Sequence, residues 1–233
     1  MAEPLSILLV PGLSCSARLY GDQIPALWQL GPVTIAAHTR DDNIGAIARR
    51  ILEAAPPSFA LVGLSMGGYI AFEILRQAPQ RVVKVALLDT TARPDSAEQT
   101  ELRRTLVEMA ERSRFAEISG LIFPRLVHPS HQDDPRLQQI HRDMAAETGA
   151  PAYIRQQRAI IGRIDSRPHL SAISCPTLVL AGDGDQVTPP ECAAEIVAGI
   201  PGARLTVVPT CGHLSTLEQP DFVTRALVEF LAR

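Results

Sequence analysis

The chain has 233 residues, 46% of them hydrophobic, and a formal net charge of −3. A chain of this size buries roughly 70% of the surface it exposes when unfolded, enough for one domain with a large core and room for an inserted subdomain. The mixed charge lacks the basic stripe that marks a nucleic-acid partner, and no apolar run is long enough to span a membrane, so neither partner is expected.

Taken in order, Met1-Ala2-Glu3-Pro4 lacks the charged n-region of a signal peptide and leads into a strand. Ser6–Val10 is a short apolar run closed by Pro11-Gly12, the pattern of a buried parallel strand. Ala17 to Trp28 reads as a helix, interrupted by Gly21 and Pro25. Val33–Ala37 is a second strand. Asp41-Asp42-Asn43 offers N-caps for a helix whose apolar face is Ile44, Ile47, Ala48, Ile51 and Leu52. Ser58–Val62 is a third strand, followed after Gly63–Gly68 by a helix that stops at Pro79. Val82–Leu88 is a fourth strand. Four strands alternating with helices predict a parallel sheet with right-handed crossovers.

From about Ala92 to Ala172 the texture changes. The segment is charged, rich in arginine and free of convincing strands, with breaks expected at Gly120, Pro124, Pro129, Pro135, Gly149-Ala150-Pro151 and Pro168. It reads as several short helices forming a lid. The sheet pattern then resumes with strands at Pro176–Ala181 and Arg204–Val208, a helix from Pro190 to Ile200 between them, and a last helix from Phe222 to Leu231. Cys15, Cys175, Cys192 and Cys211 have no CxxC spacing and read as reduced thiols, as in a cytoplasmic protein. Lys84 is the only lysine, a composition bias without functional content.

The chemistry gathers at three loops. Gly63-Leu64-Ser65-Met66-Gly67 is a Gly-x-Ser-x-Gly motif between a strand and a helix, the context of a nucleophile elbow. A serine standing proud of a sheet needs φ > 0, which brings its neighbours two residues away into contact, so Gly63 and Gly67 are the residues that fit. The amide of Met66 is then one oxyanion-hole donor. A serine hydroxyl needs a base, and a histidine base needs a carboxylate to fix its tautomer. Asp185, after the fifth strand, and His213, after the sixth, supply both at the carboxyl edge of the sheet.

These motifs resemble the α/β-hydrolase fold, and within it the small, capped bacterial serine carboxylesterase-like members, over nearly the whole chain. The acid loop of that family matches Gly182, Asp185, Val187 and Pro189, and its histidine loop matches Gly212, His213, Glu218 and Pro220. The resemblance implies a mostly parallel sheet of about six strands flanked by helices, with residues 1–91 and 173–233 as the core and 92–172 as a helical cap. It implies a Ser65–His213–Asp185 triad, with Leu13 as the second oxyanion donor. Many relatives carry His-Gly where this chain has Pro11-Gly12, but the donor is a backbone amide, so the chemistry is expected to survive. The expected activity is hydrolysis of a small carboxylic ester or thioester with no cofactor and no metal. Methyl esters of carrier-bound acyl chains, enol lactones, carbon–carbon bonds, a lyase reaction and a ligand-binding receptor stay open as alternatives. Cap arginines could meet an anionic substrate or a carrier protein, although such arginines are usually just solvated. Asp183 and Asp89 are weaker candidates for the acid. Glu218 reads as a brace for the histidine loop, His38 and Cys15 as packing near the mouth, Cys211 as a thiol without a base, and His128, His131, Asp133 and Asp134 as a solvated loop rather than a metal site.

Overall fold

A strand buried on both faces needs apolar residues at every position, and β1 (Ile7–Val10) meets that demand. Leu8 and Val10 enter one apolar cluster while Ile7 and Leu9 enter the other, so the two-residue period splits the core into two layers. The computed structural model describes residues 5–233; Met1-Ala2-Glu3-Pro4, read above for signal-peptide character, lie outside the described residues.

After β1 comes a 3₁₀ turn, Ala17–Tyr20, and then a single α-turn, α1 (Ile24–Leu27). The one helix expected from Ala17 to Trp28 is therefore two pieces. Pro25 has no N–H to offer the carbonyl of Gly21 and starts a new turn instead. β2 (Val33–Ile35) and α2 (Ile44–Ala54) follow, the helix capped by Asn43, whose side chain accepts from the Ala46 amide at 3.1 Å. β3 (Phe59–Leu64), α3 (Met66–Gln77) and β4 (Val82–Leu88) complete the first half.

Between β4 and the next strand lie α4 (Ala97–Glu111), α5 (Phe115–Leu126), α6 (Pro135–Thr148) and α7 (Ala150–Ile161), with 3₁₀ turns at Pro129–His131 and Arg167–Ala172. Gly120 and Pro124 were expected to break this segment, yet α5 runs through both. Pro124 falls in the last turn, and the carbonyl deprived of its donor belongs to Gly120, an exposed residue where water can take its place. Ala110, Ile118 and Tyr153 form a small apolar cluster within this segment. β5 (Thr177–Gly182), α8 (Pro190–Gly199), β6 (Arg204–Val208), α9 (Ser215–Glu218) and α10 (Pro220–Ala232) close the chain.

All paired strands are parallel, in the order β2-β1-β3-β4-β5-β6. Helices α2, α3 and α8 contribute to the cluster on one side, and α1 and α10 to that on the other. The chain adds β2 on one side of β1 and β3 on the other, so the strand order reverses between β1 and β3. An open α/β sheet forms its ligand crevice at such a point, outside the carboxyl ends of the strands. No helix among the described residues is long and apolar enough to cross a membrane.

Candidate active site

β3 ends at Leu64 and α3 begins at Met66, leaving Ser65 alone to turn the chain. It does so at φ 57°, ψ −116°, a conformation that costs a non-glycine residue about 1–3 kcal/mol. The Ser65 amide donates to the Leu88 carbonyl at 2.9 Å, and the Thr90 hydroxyl donates to the Ser65 carbonyl at 2.8 Å. A methyl group on Gly63 would run into the Gly67 carbonyl, and one on Gly67 into the Val10 carbonyl, so neither position admits another residue unchanged.

Because β1 lies beside β3, the turn after β1 reaches the serine: a Cβ placed on Gly12 would sit 3.4 Å from the Ser65 Cβ. The amide of Met66, next after Ser65, and that of Leu13, next after Gly12, find no acceptor among the described residues. The turn is held from outside. His38 Nε2 lies 2.9 Å from the Gly12 carbonyl, which only accepts, so His38 carries its hydrogen on Nε2. The Ser14 amide donates to Oε1 of Gln156 on α7 at 3.0 Å.

His213 joins the other two groups. Its Nε2 is 2.8 Å from Ser65 Oγ and its Nδ1 is 2.7 Å from Asp185 Oδ2. Asp185 is fixed in turn: Oδ1 accepts from the amides of Val187 at 2.8 Å and Thr188 at 3.0 Å, and Oδ2 accepts from the Thr188 hydroxyl at 2.8 Å. Burial opposes a charge on His213, but the charge and hydrogen bond of the Asp185 carboxylate, together with the charges of Asp89 and Glu218, more than offset this and leave the imidazole pKa raised. Burial likewise pushes Asp185 up, and the charge and hydrogen bond of His213, with the two amides, hold it below the usual carboxylate range. The arrangement therefore favours an ionised aspartate beside an imidazole whose Nε2 faces the serine hydroxyl.

The other candidates take structural places. Asp183 is exposed and accepts from the amides of Thr210 and Cys211, both at 3.0 Å, so it ties the acid loop to the histidine loop. Asp89 is fully buried at φ 45° and accepts from the amides of Gly182 at 3.1 Å and Ser215 at 3.3 Å; burial, then the nearby Asp185 charge, raise its pKa well above the carboxylate range. Glu218 accepts from the amides of Gly212, Leu214 and His128 and from His131 Nδ1, drawing the histidine loop against the end of α5. Asp134 caps α6, and no cluster of three or more metal-binding side chains occurs among the described residues. All four cysteines are free; burial lifts the Cys15 thiol to about 12 and lifts Cys211 further, so neither is a ready nucleophile.

Thr188, Thr90 and Gln156 were not anticipated from the sequence. Thr188 stands three residues beyond Asp185 and was open to recognition as an Asx-type loop partner, whereas nothing local marks Gln156. A cavity of about 460 Å³ lies along the outer face of α3, between α2 and the segment after α7, and is lined by Tyr69, Phe72, Glu73, Arg76, Arg93 and Arg163 among others. Ser65, Asp185 and His213 do not line it.

A strained serine on a strand-to-helix turn, with its histidine and acid on later strand ends, defines an α/β-hydrolase constellation. The sequence profile of the alpha/beta hydrolase family matches residues 7–226, and the chain belongs to that family. The chain is similar to a thermophilic esterase from Thermogutta terrifontis, whose structure was solved with malate bound: TM-score 0.89 and 31% identity over 98% of this chain and 89% of that one. It is 26% identical to RutD of Variovorax paradoxus (strain S110), which carries a provisional carbamate-hydrolase assignment, over 100% of this chain and 93% of that protein. It is 27% identical to the pimeloyl-[acyl-carrier protein] methyl ester esterase of Nitrosospira multiformis (strain ATCC 25196), over 79% of this chain and 72% of that protein.

Proposed function

We propose that the protein is a serine hydrolase that cleaves a small carboxylic ester or thioester through an acyl-enzyme. The relay of 2.7 Å from Asp185 to His213 and 2.8 Å from His213 to Ser65 carries this reading. His213 Nε2 removes the Ser65 proton as Oγ attacks the acyl carbon. The amides of Leu13 and Met66 take the developing oxyanion; one such donor is worth about 3–4 kcal/mol in the transition state of comparable enzymes. The imidazolium, steadied by Asp185, returns its proton to the leaving alcohol or thiol. Water activated by His213 then attacks the acyl-enzyme, and its collapse releases the acid and Ser65.

Residues 92–172 act as the cap in this reading. Its support is contact with the histidine loop: the Leu126 carbonyl accepts from the His213 amide at 2.9 Å, and His131 rests on Glu218. The carrier-protein methyl ester esterase relative makes an acyl group presented by a carrier protein a candidate substrate, and the RutD likeness makes a carbamate a second one. Both are acyl transfers open to the same three side chains.

The test is labelling with a fluorophosphonate, read by intact mass and peptide mapping, followed by a screen of p-nitrophenyl esters, acyl thioesters and carbamates. One adduct on Ser65, absent from Ser65→Ala, together with turnover of an ester, is the expected result. A folded protein that takes no adduct and hydrolyses nothing, yet binds acyl ligands, is a receptor-like member, and the hydrolase reading then fails.

A further inference from the structure

Resting on the assignment of Leu13 as an oxyanion donor, we propose that His38 and Gln156 are positioning residues for that donor: together they hold the two successive peptide groups that decide where the Leu13 amide points. The Leu13 N–H and the Gly12 carbonyl belong to one planar peptide unit and point in opposite directions. His38 Nε2, 2.9 Å from the Gly12 oxygen, therefore aims the Leu13 N–H by fixing the other end of its plane. The Cys15 amide, 3.2 Å from the same oxygen, closes a four-residue turn over Gly12–Cys15. The third residue of that turn, Ser14, stands at φ 58°, a position that favours glycine. Nothing in the Ser14 side chain makes this conformation easy, so it has to be imposed.

Gln156 imposes it. Its side-chain oxygen accepts from the Ser14 amide at 3.0 Å, and its side-chain nitrogen donates to the His38 carbonyl at 3.4 Å. One amide group thus pins the peptide after Leu13 and the backbone of the histidine that pins the peptide before it. Gln156 is 0% exposed and His38 3%, so water cannot replace either partner cheaply. Gln156 belongs to α7, so the segment inserted after β4 supplies part of the frame of a donor that follows β1. The adjacent residue, Arg155, docks the same helix on the same loop through the Thr39 carbonyl at 2.9 Å, without touching the turn. This pairing separates docking of the helix from holding of the amide.

The experiment compares His38→Ala, Gln156→Ala, the isosteric Gln156→Glu and Arg155→Ala on a p-nitrophenyl ester and on an alkyl boronic acid, which becomes tetrahedral on Ser65. Melting curves establish that each variant is folded. Expected are a fall in kcat of about 10- to 100-fold for His38→Ala and about 10-fold for Gln156→Ala, since displacing a donor costs less than the roughly 10²–10³-fold of deleting one. KM stays within about 3-fold, and boronate affinity falls in step with kcat/KM. Gln156→Glu loses rate as well, because its carboxylate meets the His38 carbonyl in place of an N–H donor. The double variant His38→Ala/Gln156→Ala is little worse than His38→Ala alone, because both act on one turn. Arg155→Ala keeps its kcat. Folded His38 and Gln156 variants with wild-type kcat and boronate affinity overturn the inference, as does an Arg155→Ala loss equal to theirs. An active Ser65→Ala would instead overturn the hydrolase reading, whatever the other variants do.

Discussion

The two turns on either side of Ser65 are shaped by opposite means. The elbow from Gly63 to Gly67 is set by steric contact with backbone, because a side chain on Gly63 would meet the Gly67 carbonyl and one on Gly67 the Val10 carbonyl of β1. The turn from Gly12 to Cys15 has room: a Cβ on Gly12 would meet its neighbours at 3.4 Å, an ordinary contact. Its shape comes instead from His38 and from Gln156, the latter 142 residues away from Ser14. One half of the site is enforced by close backbone contacts, within the motif at Gly63 and against β1 at Gly67. The other is enforced by hydrogen bonds that exist only once the whole chain has folded.

Substitutions sharpen this contrast, beginning with the most severe. Gly67→Ala is expected to abolish the native elbow, with loss of phosphonate labelling and either no folded protein or a greatly lowered Tm by circular dichroism. Survival of a wild-type melting curve and label would mean that the elbow is softer than its contacts indicate. Asp185→Asn keeps the fold but removes the charge that orients and stabilises His213; a fall in kcat of about 10⁴-fold is expected from comparable triads. Thr188→Val removes the hydroxyl donated to Asp185 and, at about 1.5–3 kcal/mol for a bond to a charged group, is expected to cost about 10- to 100-fold in kcat/KM. Gly12→Ala is the matched partner of Gly67→Ala and should cost only a few-fold in kcat, with Tm nearly unchanged. Equal damage from the two alanines would erase the distinction between the turns.

The pH profile gives a finer test. In the proposed mechanism His213 has to be neutral to accept the Ser65 proton, and its pKa is raised in the folded protein. The acidic limb of kcat/KM should therefore fall above the ordinary histidine range near 6.5, with activity lost as pH drops through it. A limb below that range would mean that burial outweighs the carboxylates around His213. For stability the signs differ. The raised His213 pKa contributes stability that is complete below its unfolded value and lost as pH rises through the folded one. The depressed Asp185 pKa contributes stability that is present above its unfolded value and lost as pH falls through the folded one.

The same division explains what could be read from the sequence. All six strands, the order of the loops and the position of Ser65 follow from apolar runs, turn residues and the spacing of glycines, which are local signals. The meeting of Asp185 and His213 with Ser65 was legible because a parallel sheet brings its strand ends to one edge. The helix expected over Ala17–Trp28 went astray where Pro25 outweighed an otherwise helical run, and the breaks expected at Gly120 and Pro124 went astray because solvent can satisfy the exposed carbonyl. Gln156 was illegible for another reason. Within α7 it is one polar residue beside Arg155 and Gln157, and only its burial against Ser14 and His38 gives it a task.

The order in which the sheet is written into the chain carries a consequence for refolding. β4 ends at Leu88 and β5 begins at Thr177, with the whole inserted segment between them, and Asp185 and His213 follow β5 and β6. Pairing β5 with β4 therefore means closing a long loop, a slow step in any folding reaction. A chain that has formed only β1 to β4 owns the serine and its strained elbow but neither of the residues proposed as its base and acid. Recovery of ester turnover after dilution from denaturant should lag behind recovery of helical circular dichroism, and the lag times the arrival of the last two strands.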